Sequence, residues 1–342
     1  MKKILVTGGA GFIGSHTVVE LYEAGFEPVI LDNLSNSSLT VLKGLENITG
    51  KKISFYQQDC NDEIALNRIF EREGHIDGVI HFAADKAVGE SVNNPLKYYG
   101  NNLGSLIALI KTMEKFGVND LVFSSSCTVY GEPDELPVTE NTPIKPASSP
   151  YGNTKQVGEQ IIKDYFTVSK RFSSVLLRYF NPIGAHPTAF IGELPLGVPN
   201  NLVPFITQTA AGLREKLTVY GNDYNTPDGT CIRDYIHVVD LAKAHVAALN
   251  WLFEQTDKKL EILNVGTGQG CSVLEIIKNF ELTTGQKLNY VIGSRRPGDV
   301  EKVYADASTI KKVLGWQARL SLTDALGDAW NWQCILKEQG KV

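Results

Sequence analysis

Apolar runs and helical spacings alternate along the first half of the chain. Lys3-Ile4-Leu5-Val6-Thr7 is short, apolar and β-branched, which predicts a buried strand. Val18, Leu21 and Ala24 then recur at helical spacing, and Pro28-Val29-Ile30-Leu31 forms a second strand-like run ending at Asp32. Further runs follow at Ile53-Ser54-Phe55-Tyr56, Val79-Ile80-His81-Phe82-Ala83, Leu121-Val122-Phe123-Ser124-Ser125 and Ser174-Val175-Leu176-Leu177-Arg178, with helical patterns between them. Strands alternating with helices predict an α/β fold built on a doubly wound parallel sheet. Ligands of such sheets bind beyond the carboxyl ends of the strands. Asp59, Phe82, Ala83 and Ser124 to Ser126 stand at such ends, along one predicted crevice.

After Arg178 the texture changes. Residues 181–230 are rich in Pro, Gly and Asn while apolar residues keep recurring. Strand-like runs return at Arg233-Asp234-Tyr235-Ile236 and Ile262-Leu263-Asn264-Val265. The expectation is a nucleotide-binding domain over 1–180 and a smaller mixed α/β C-terminal substrate domain over 181–342, with later segments near 232–265 returning to the first. Residues 96–116 and 151–169 read as long helices with apolar positions left over after one face meets the sheet. The tail from Asp324 to Leu336 reads as a helix packed on the second domain, and Asp306 and Asp324 as helix-start residues.

Between the first strand and first helix lies Gly8-Gly9-Ala10-Gly11-Phe12-Ile13-Gly14. Strand, glycine turn, helix, strand and terminal acid together predict a Rossmann-type dinucleotide site. The glycines let the backbone approach a pyrophosphate at the helix N-terminus, and the acid accepts from a ribose hydroxyl. A carboxylate at Asp32 repels a 2′-phosphate and no arginine lies near it in sequence, so NAD is expected rather than NADP.

Tyr151 and Lys155 stand four residues apart at the start of a predicted helix, which puts them on one face. A phenol titrates near pH 10, so use as a base at neutral pH needs its pKa lowered by about 3, which is worth about 4 kcal/mol. A neighbouring ammonium, or the positive ring of an oxidised nicotinamide, acts in that direction.

Composition changes this picture little. The 342 residues are 43% hydrophobic and carry a net charge of −5, with enough apolar content for a sizeable core and no basic bias toward nucleic acid. Five cysteines are scattered without a Cys-x-x-Cys pair, which suggests free thiols in a reducing compartment. Lys2-Lys3 begins like a signal peptide, but glycines, His16 and Glu20 soon interrupt it. No apolar run reaches membrane-spanning length. A cytoplasmic enzyme is expected, with no membrane or nucleic-acid partner. His16, His81, His186 and His237 lack metal-site spacing, and no metal is assigned.

Longer motifs carry a resemblance. They are Thr7 to His16, Leu31-Asp32-Asn33-Leu34, Lys86-Ala87-Val88-Gly89-Glu90-Ser91, Ser124 to Gly131, Leu177 to Pro182, Gly184-Ala185-His186-Pro187, Asp228-Gly229-Thr230, Arg233 to Val238 and Arg295-Arg296-Pro297-Gly298-Asp299. With them the chain resembles the extended short-chain dehydrogenase/reductase family over nearly its whole length, and within it the UDP-glucose 4-epimerases. That resemblance implies interconversion of UDP-glucose and UDP-galactose through a 4-keto sugar, with NAD retained. Tyr151 is then the base, Lys155 holds the nicotinamide ribose and keeps Tyr151 anionic, and Ser126 orients the sugar oxygen. The implied cofactor crevice holds Gly8, Gly11, Phe12, Ile13, Gly14, Asp32, Asn33, Asp59 and Cys60. It continues through Phe82, Ala83, Lys86, Asn101, Ser124, Tyr151, Lys155 and Tyr179. The implied UDP-sugar contacts are Lys86, Ser126, Tyr151, Asn181, Asn201 and Leu202, then Thr218, Tyr220, Arg233, Arg296, Asp299 and Val303. Guanidinium groups suit the diphosphate, although surface ion pairs and turn-closing asparagines are the plainer readings of these residues. The resemblance sets Val303 beside the sugar 2-substituent, where a small residue admits an N-acetyl group; plain packing beneath the strand is the alternative. It further implies a homodimer through the two long helices. Ala84-Asp85 and Cys60 depart from the family pattern and bear on cofactor affinity.

One position separates the rival chemistries. Related dehydratases place an Asp-Glu pair just after the active-site hydroxyl residue, and decarboxylases a Glu. Here Ser126 is followed by Cys127 and Thr128. Cys127 read as a nucleophile has no sequence-adjacent histidine, so apolar packing is the simpler role. Another nucleotide-sugar epimerase, a dehydratase, a cofactor-releasing dehydrogenase and a non-enzymatic sensor remain as alternatives.

Overall fold

The computed structural model of the protein describes residues 1–296 and 299–340; Pro297 and Gly298 of the arginine motif lie outside the described residues. The large sheet is formed by β1 (Lys3–Thr7), β2 (Glu27–Asp32), β3 (Ser54–Gln57), β4 (Gly78–His81), β5 (Asp120–Ser126) and β6 (Ser173–Tyr179). Between and after them run α1 (Phe12–Glu23), α2 (Thr40–Thr49), α3 (Glu63–Glu73), α4 (Val88–Asn93), α5 (Pro95–Phe116) and α6 (Pro150–Val168). The second half supplies β7 (Asn181–Ile183), α7 (Leu202–Ala210), β8 (Leu217–Tyr220), β9 (Ile232–His237), α8 (Val238–Phe253) and β10 (Leu260–Val265). It ends with β11 (Gly270–Ser272), α9 (Val273–Thr284), β12 (Tyr290–Gly293), β13 (Lys302–Val303), α10 (Ser308–Leu314) and α11 (Leu322–Glu338).

Seven parallel strands lie in the order β10-β6-β5-β4-β1-β2-β3. The central strands are buried along almost their whole length, as a sheet covered on both faces requires. One core cluster joins Ile4, Val6, Val18, Ile30 and Leu249; another joins Leu5, Val29, Leu66, Leu109 and Ile162. They hold α1 and α8 on one face and α3, α5 and α6 on the other. From β1 the chain winds outward to β2 and β3, and from β4 it winds the other way. The loops after β1 and β4 therefore diverge, and that switch point opens the crevice.

The smaller part holds the sheet β11-β9-β13 with β7 added on β9, and the pair β12-β8. Its own core gathers Ile206, Leu217, Ile276, Phe280 and Leu326. The chain's return to the large sheet comprises α8 and β10. Ile232–His237, expected to return with them, stays in the small sheet and pairs with β7, β11 and β13. The C-terminal helix packs on α7, α9 and β9. It starts with Ser321 and Asp324 in a reciprocal capping box.

Candidate functional site

The glycine turn leaves β1 at Gly8, whose φ is +68°. A Cβ there would stand 2.9 Å from the Ala83 nitrogen, and one on Gly14 would overlap the Gly8 carbonyl. Gly11 starts α1 with no side-chain cap, and the first turn, with Phe12 and Ile13, carries no acid. The helix N-terminus is thus left to an outside anion. At the end of β2, Asp32 is 9% exposed. Its Oδ2 accepts from Ala10 N at 3.0 Å, and its Oδ1 from Leu34 N at 2.8 Å and Ser37 Oγ at 2.9 Å. The carboxylate therefore holds the turn in shape and keeps lone-pair capacity for a ribose hydroxyl. Asn33 Nδ2 donates to Asp59 at 3.0 Å, and Asn101 Oδ1 accepts from Asn61 at 2.9 Å, along the same rim. The Cys60 thiol turns into the core toward the Ser105 carbonyl at 3.8 Å, so only main-chain atoms of Cys60 are left for a ligand. The Phe82 ring lies tilted against His245, with ring centroids 4.6 Å apart. These residues fit a dinucleotide: small where a backbone must come close, anion-friendly at the helix end, acidic at the ribose.

Ser149 caps α6 by accepting from Gly152 N at 3.1 Å, and Pro150 fills the first turn, where its missing N–H costs nothing. The cap aims Tyr151 and Lys155 at the end of β5. Lys155 is 5% exposed, and its Nζ donates to the Ser124 carbonyl at 2.6 Å and lies 6.0 Å from the Tyr151 ring centroid. The Ser126 hydroxyl faces the phenol and favours its anion; Ser126 also accepts from Thr128 N at 3.2 Å. Ser124 Oγ is hydrogen-bonded to the Tyr179 hydroxyl. Burial raises the Tyr151 phenol to about 12, overriding Ser126, and lowers the Lys155 ammonium to about 8. Burial thus opposes the phenolate, and positive charge beside the phenol acts against that penalty. Burial also raises the Cys127 thiol to about 11, which suits packing rather than nucleophilic attack.

Across the crevice, Glu193 Oε1 accepts from Lys86 Nζ at 3.3 Å and from Asn201 Nδ2 at 2.6 Å. Trp332 Nε1 fixes its main chain by donating to the Glu193 carbonyl at 2.9 Å. Sequence reading missed Glu193, because its partners lie 107 and 8 residues away in opposite directions. Asn201 and Leu202 open α7, while Asn181 lies in β7, two residues past Tyr179, which pairs with Ser126. Arg296 forks onto Asp299, with Nη2 at 2.7 Å from Oδ1, and stands 5.7 Å from the Tyr220 ring centre. Arg233 Nη2 comes to 4.0 Å of the same carboxylate. Two guanidiniums thus converge on one acid, with Arg296 beside Tyr220 of β8. Val303 pairs with Arg233 in the small sheet. It is 6% exposed in a cluster with Val129, Tyr130 and Phe180.

Comparison with known proteins places this arrangement. Residues 5–328 match a family model described as GDP-mannose 4,6 dehydratase. A UDP-glucose 4-epimerase of Bacillus subtilis is 52% identical over 330 residues, covering 96% of each chain. The structure of UDP-glucose-4-epimerase from Stenotrophomonas maltophila, with bound NAD and formylated UDP-arabinopyranose, superposes with a TM-score of 0.96 at 48% identity, over 99% of this chain and 100% of that one. The Bifidobacterium longum enzyme in complex with NAD+ and UDP gives 0.94 at 48% identity, over 98% of each chain. With a family model and relatives both matched along almost the whole chain, the protein belongs to the extended short-chain dehydrogenase/reductase family, among its UDP-glucose 4-epimerases.

Proposed function

We propose that the protein interconverts UDP-glucose and UDP-galactose by inverting C4 of the sugar, with NAD retained between turnovers. The observation that carries this reading is the Ser126–Tyr151–Lys155 constellation at the end of β5, followed by Cys127 and Thr128 where a dehydratase needs carboxylates. NAD held by the glycine turn, Asp32 and Lys155 would supply reversible hydride transfer at C4. Tyr151 takes the 4-hydroxyl proton through its phenol oxygen and gives it back. Ser126 holds the sugar oxygen against that base. Lys155 holds the nicotinamide ribose and adds positive charge beside the phenol. Arg233 and Arg296 exchange Asp299 for the substrate diphosphate, which anchors the nucleotide while the sugar turns. Lys86, Asn181, Asn201, Leu202, Thr218 and Tyr220 line the rest of the UDP-sugar site. The test is purification without added nucleotide. Denaturation releases NAD, and UDP-glucose converts to UDP-galactose with no cofactor supplied. Stoichiometric consumption of added NAD, or loss of one water from the product, overturns the reading.

Two extensions belong to it. Valine at 303 lacks the bulk of a phenol ring, so UDP-N-acetylglucosamine is also a substrate. A homodimer forms through α5 and α6, which leave Leu96, Ile107 and Val168 exposed. Among the described residues no helix is long and apolar enough to cross a membrane. Unpaired cysteines favour a reducing compartment, the cytoplasm.

A further inference from the structure

Tyr151, Lys155 and Glu159 stand at i, i+4 and i+8 on α6 and share one face. The first two belong to the site already described. Glu159 is 1% exposed, and a carboxylate so placed is costly unless fully paired. Its partners lie mainly on the sheet. Ser125 Oγ donates to Oε1 at 2.6 Å; Arg178 Nε donates to Oε1 at 2.8 Å and Nη2 to Oε2 at 2.6 Å. Lys163, one turn on, lies 3.5 Å from Oε2. Arg178 Nη1 in turn donates to the Tyr130 hydroxyl at 3.1 Å, which donates to Asn264 at 2.6 Å. Ser125 sits between Ser124, whose carbonyl receives Lys155, and Ser126, whose hydroxyl faces Tyr151. The helix and the strand that build the site together are therefore tied by one carboxylate, a single turn beyond Lys155.

We propose that Glu159 is a positioning residue for epimerisation: clamped by Arg178 and Ser125, it fixes α6 against β5 and supplies the negative charge that keeps Lys155 cationic beside Tyr151. This rests on the functional reading above and adds a residue that touches neither substrate nor cofactor. The groups facing Lys155 leave that electrostatic role to Glu159. From α6 come Tyr151 and Glu159. From β5 come the Ser124 carbonyl and the Phe123 ring, 5.1 Å from Nζ. From β4 comes His81, kept neutral by burial, which holds it at about 3. From β6 come Tyr179, tied to Ser124 and kept neutral by burial, and Arg178, which is cationic and paired. Burial drives Lys155 toward its neutral form, and Glu159 opposes that.

Three variants test the assignment, with turnover followed from pH 6 to 10 and UDP affinity and retained NAD measured alongside. Glu159→Gln removes the charge. The expected result is a several-fold fall in kcat at pH 7 that grows to about tenfold above pH 9, KM for UDP-glucose within about twofold, and a high-pH limb displaced downward by about one unit. Because Glu159→Gln leaves Arg178 without its counter-charge, Glu159→Gln/Arg178→Met is made beside it; there the limb moves down by less, since a positive charge leaves with the negative one. Ser125→Ala keeps every charge and cuts only the tie to β5, so kcat falls several-fold with the limb in place. A folded Glu159→Gln or double variant with a wild-type limb and kcat overturns the electrostatic role. Wild-type kcat in Ser125→Ala overturns the clamp. If the wild type itself fails to interconvert the two sugars, the functional reading fails first; an active wild type with unaffected variants sinks this inference alone.

Discussion

Lys155→Met removes the ammonium beside the base and leaves the Tyr151 ring in place. Nζ lies 6.0 Å from that ring. At this separation two unit charges interact by about 3 kcal/mol at an effective dielectric constant of about 20. That corresponds to about 2 pKa units, or about a hundredfold in the phenolate fraction at fixed pH. The starting point matters: burial already raises the phenol to about 12, so the site has no slack to absorb the loss. The expected outcome is a drop of about a hundredfold in turnover of UDP-glucose at pH 7.5, scaled to the NAD released on denaturation, with UDP affinity nearly unchanged. The pH dependence has a definite sign. Burial holds the folded-state ammonium at about 8, below its ordinary 10.5. The unfolded chain therefore binds more protons between those values, and the cost of burying the cation is relieved as pH rises through them. Lys155→Met lacks this relief, so the wild type gains stability relative to the variant from pH 8 to 10 in denaturant titrations. Turnover of Lys155→Met within fivefold of wild type, at equal NAD content, refutes the coupling of the two groups.

Tyr151→Phe keeps the ring and removes the proton acceptor; turnover falls by about a hundred- to ten-thousand-fold with UDP binding intact, and wild-type-like turnover removes Tyr151 from its role. Gly14→Ala sets a methyl against the Gly8 carbonyl, so the purified variant carries markedly less NAD, read from the nucleotide released on denaturation. Val303→Tyr selectively abolishes activity on UDP-N-acetylglucosamine; a wild type inactive on that sugar ends the proposal of broad specificity. Sedimentation at micromolar concentration gives a dimer, and a monomer there contradicts the interface through α5 and α6.

Local features were legible in the sequence because they depend on neighbours along the chain. The glycine turn, Asp32 at a strand end, and Tyr151 and Lys155 one helical turn apart are set by spacings of a few residues. Hydrophobic periodicity likewise located the strands of the large sheet, the two long helices and the C-terminal helix. Interactions between distant segments were not legible. Glu159 finds Arg178 and Ser125 only because α6 packs across β5 and β6. Glu193 bridges Lys86 and Asn201 only because the small domain closes over the loop after β4. The protonation of the base is the sharpest case. Spacing placed an ammonium near a phenol, whereas how strongly burial pushes the phenol the other way depends on how far packing removes water from Tyr151. Desolvation depends on the whole surrounding fold, so the tertiary structure decided it.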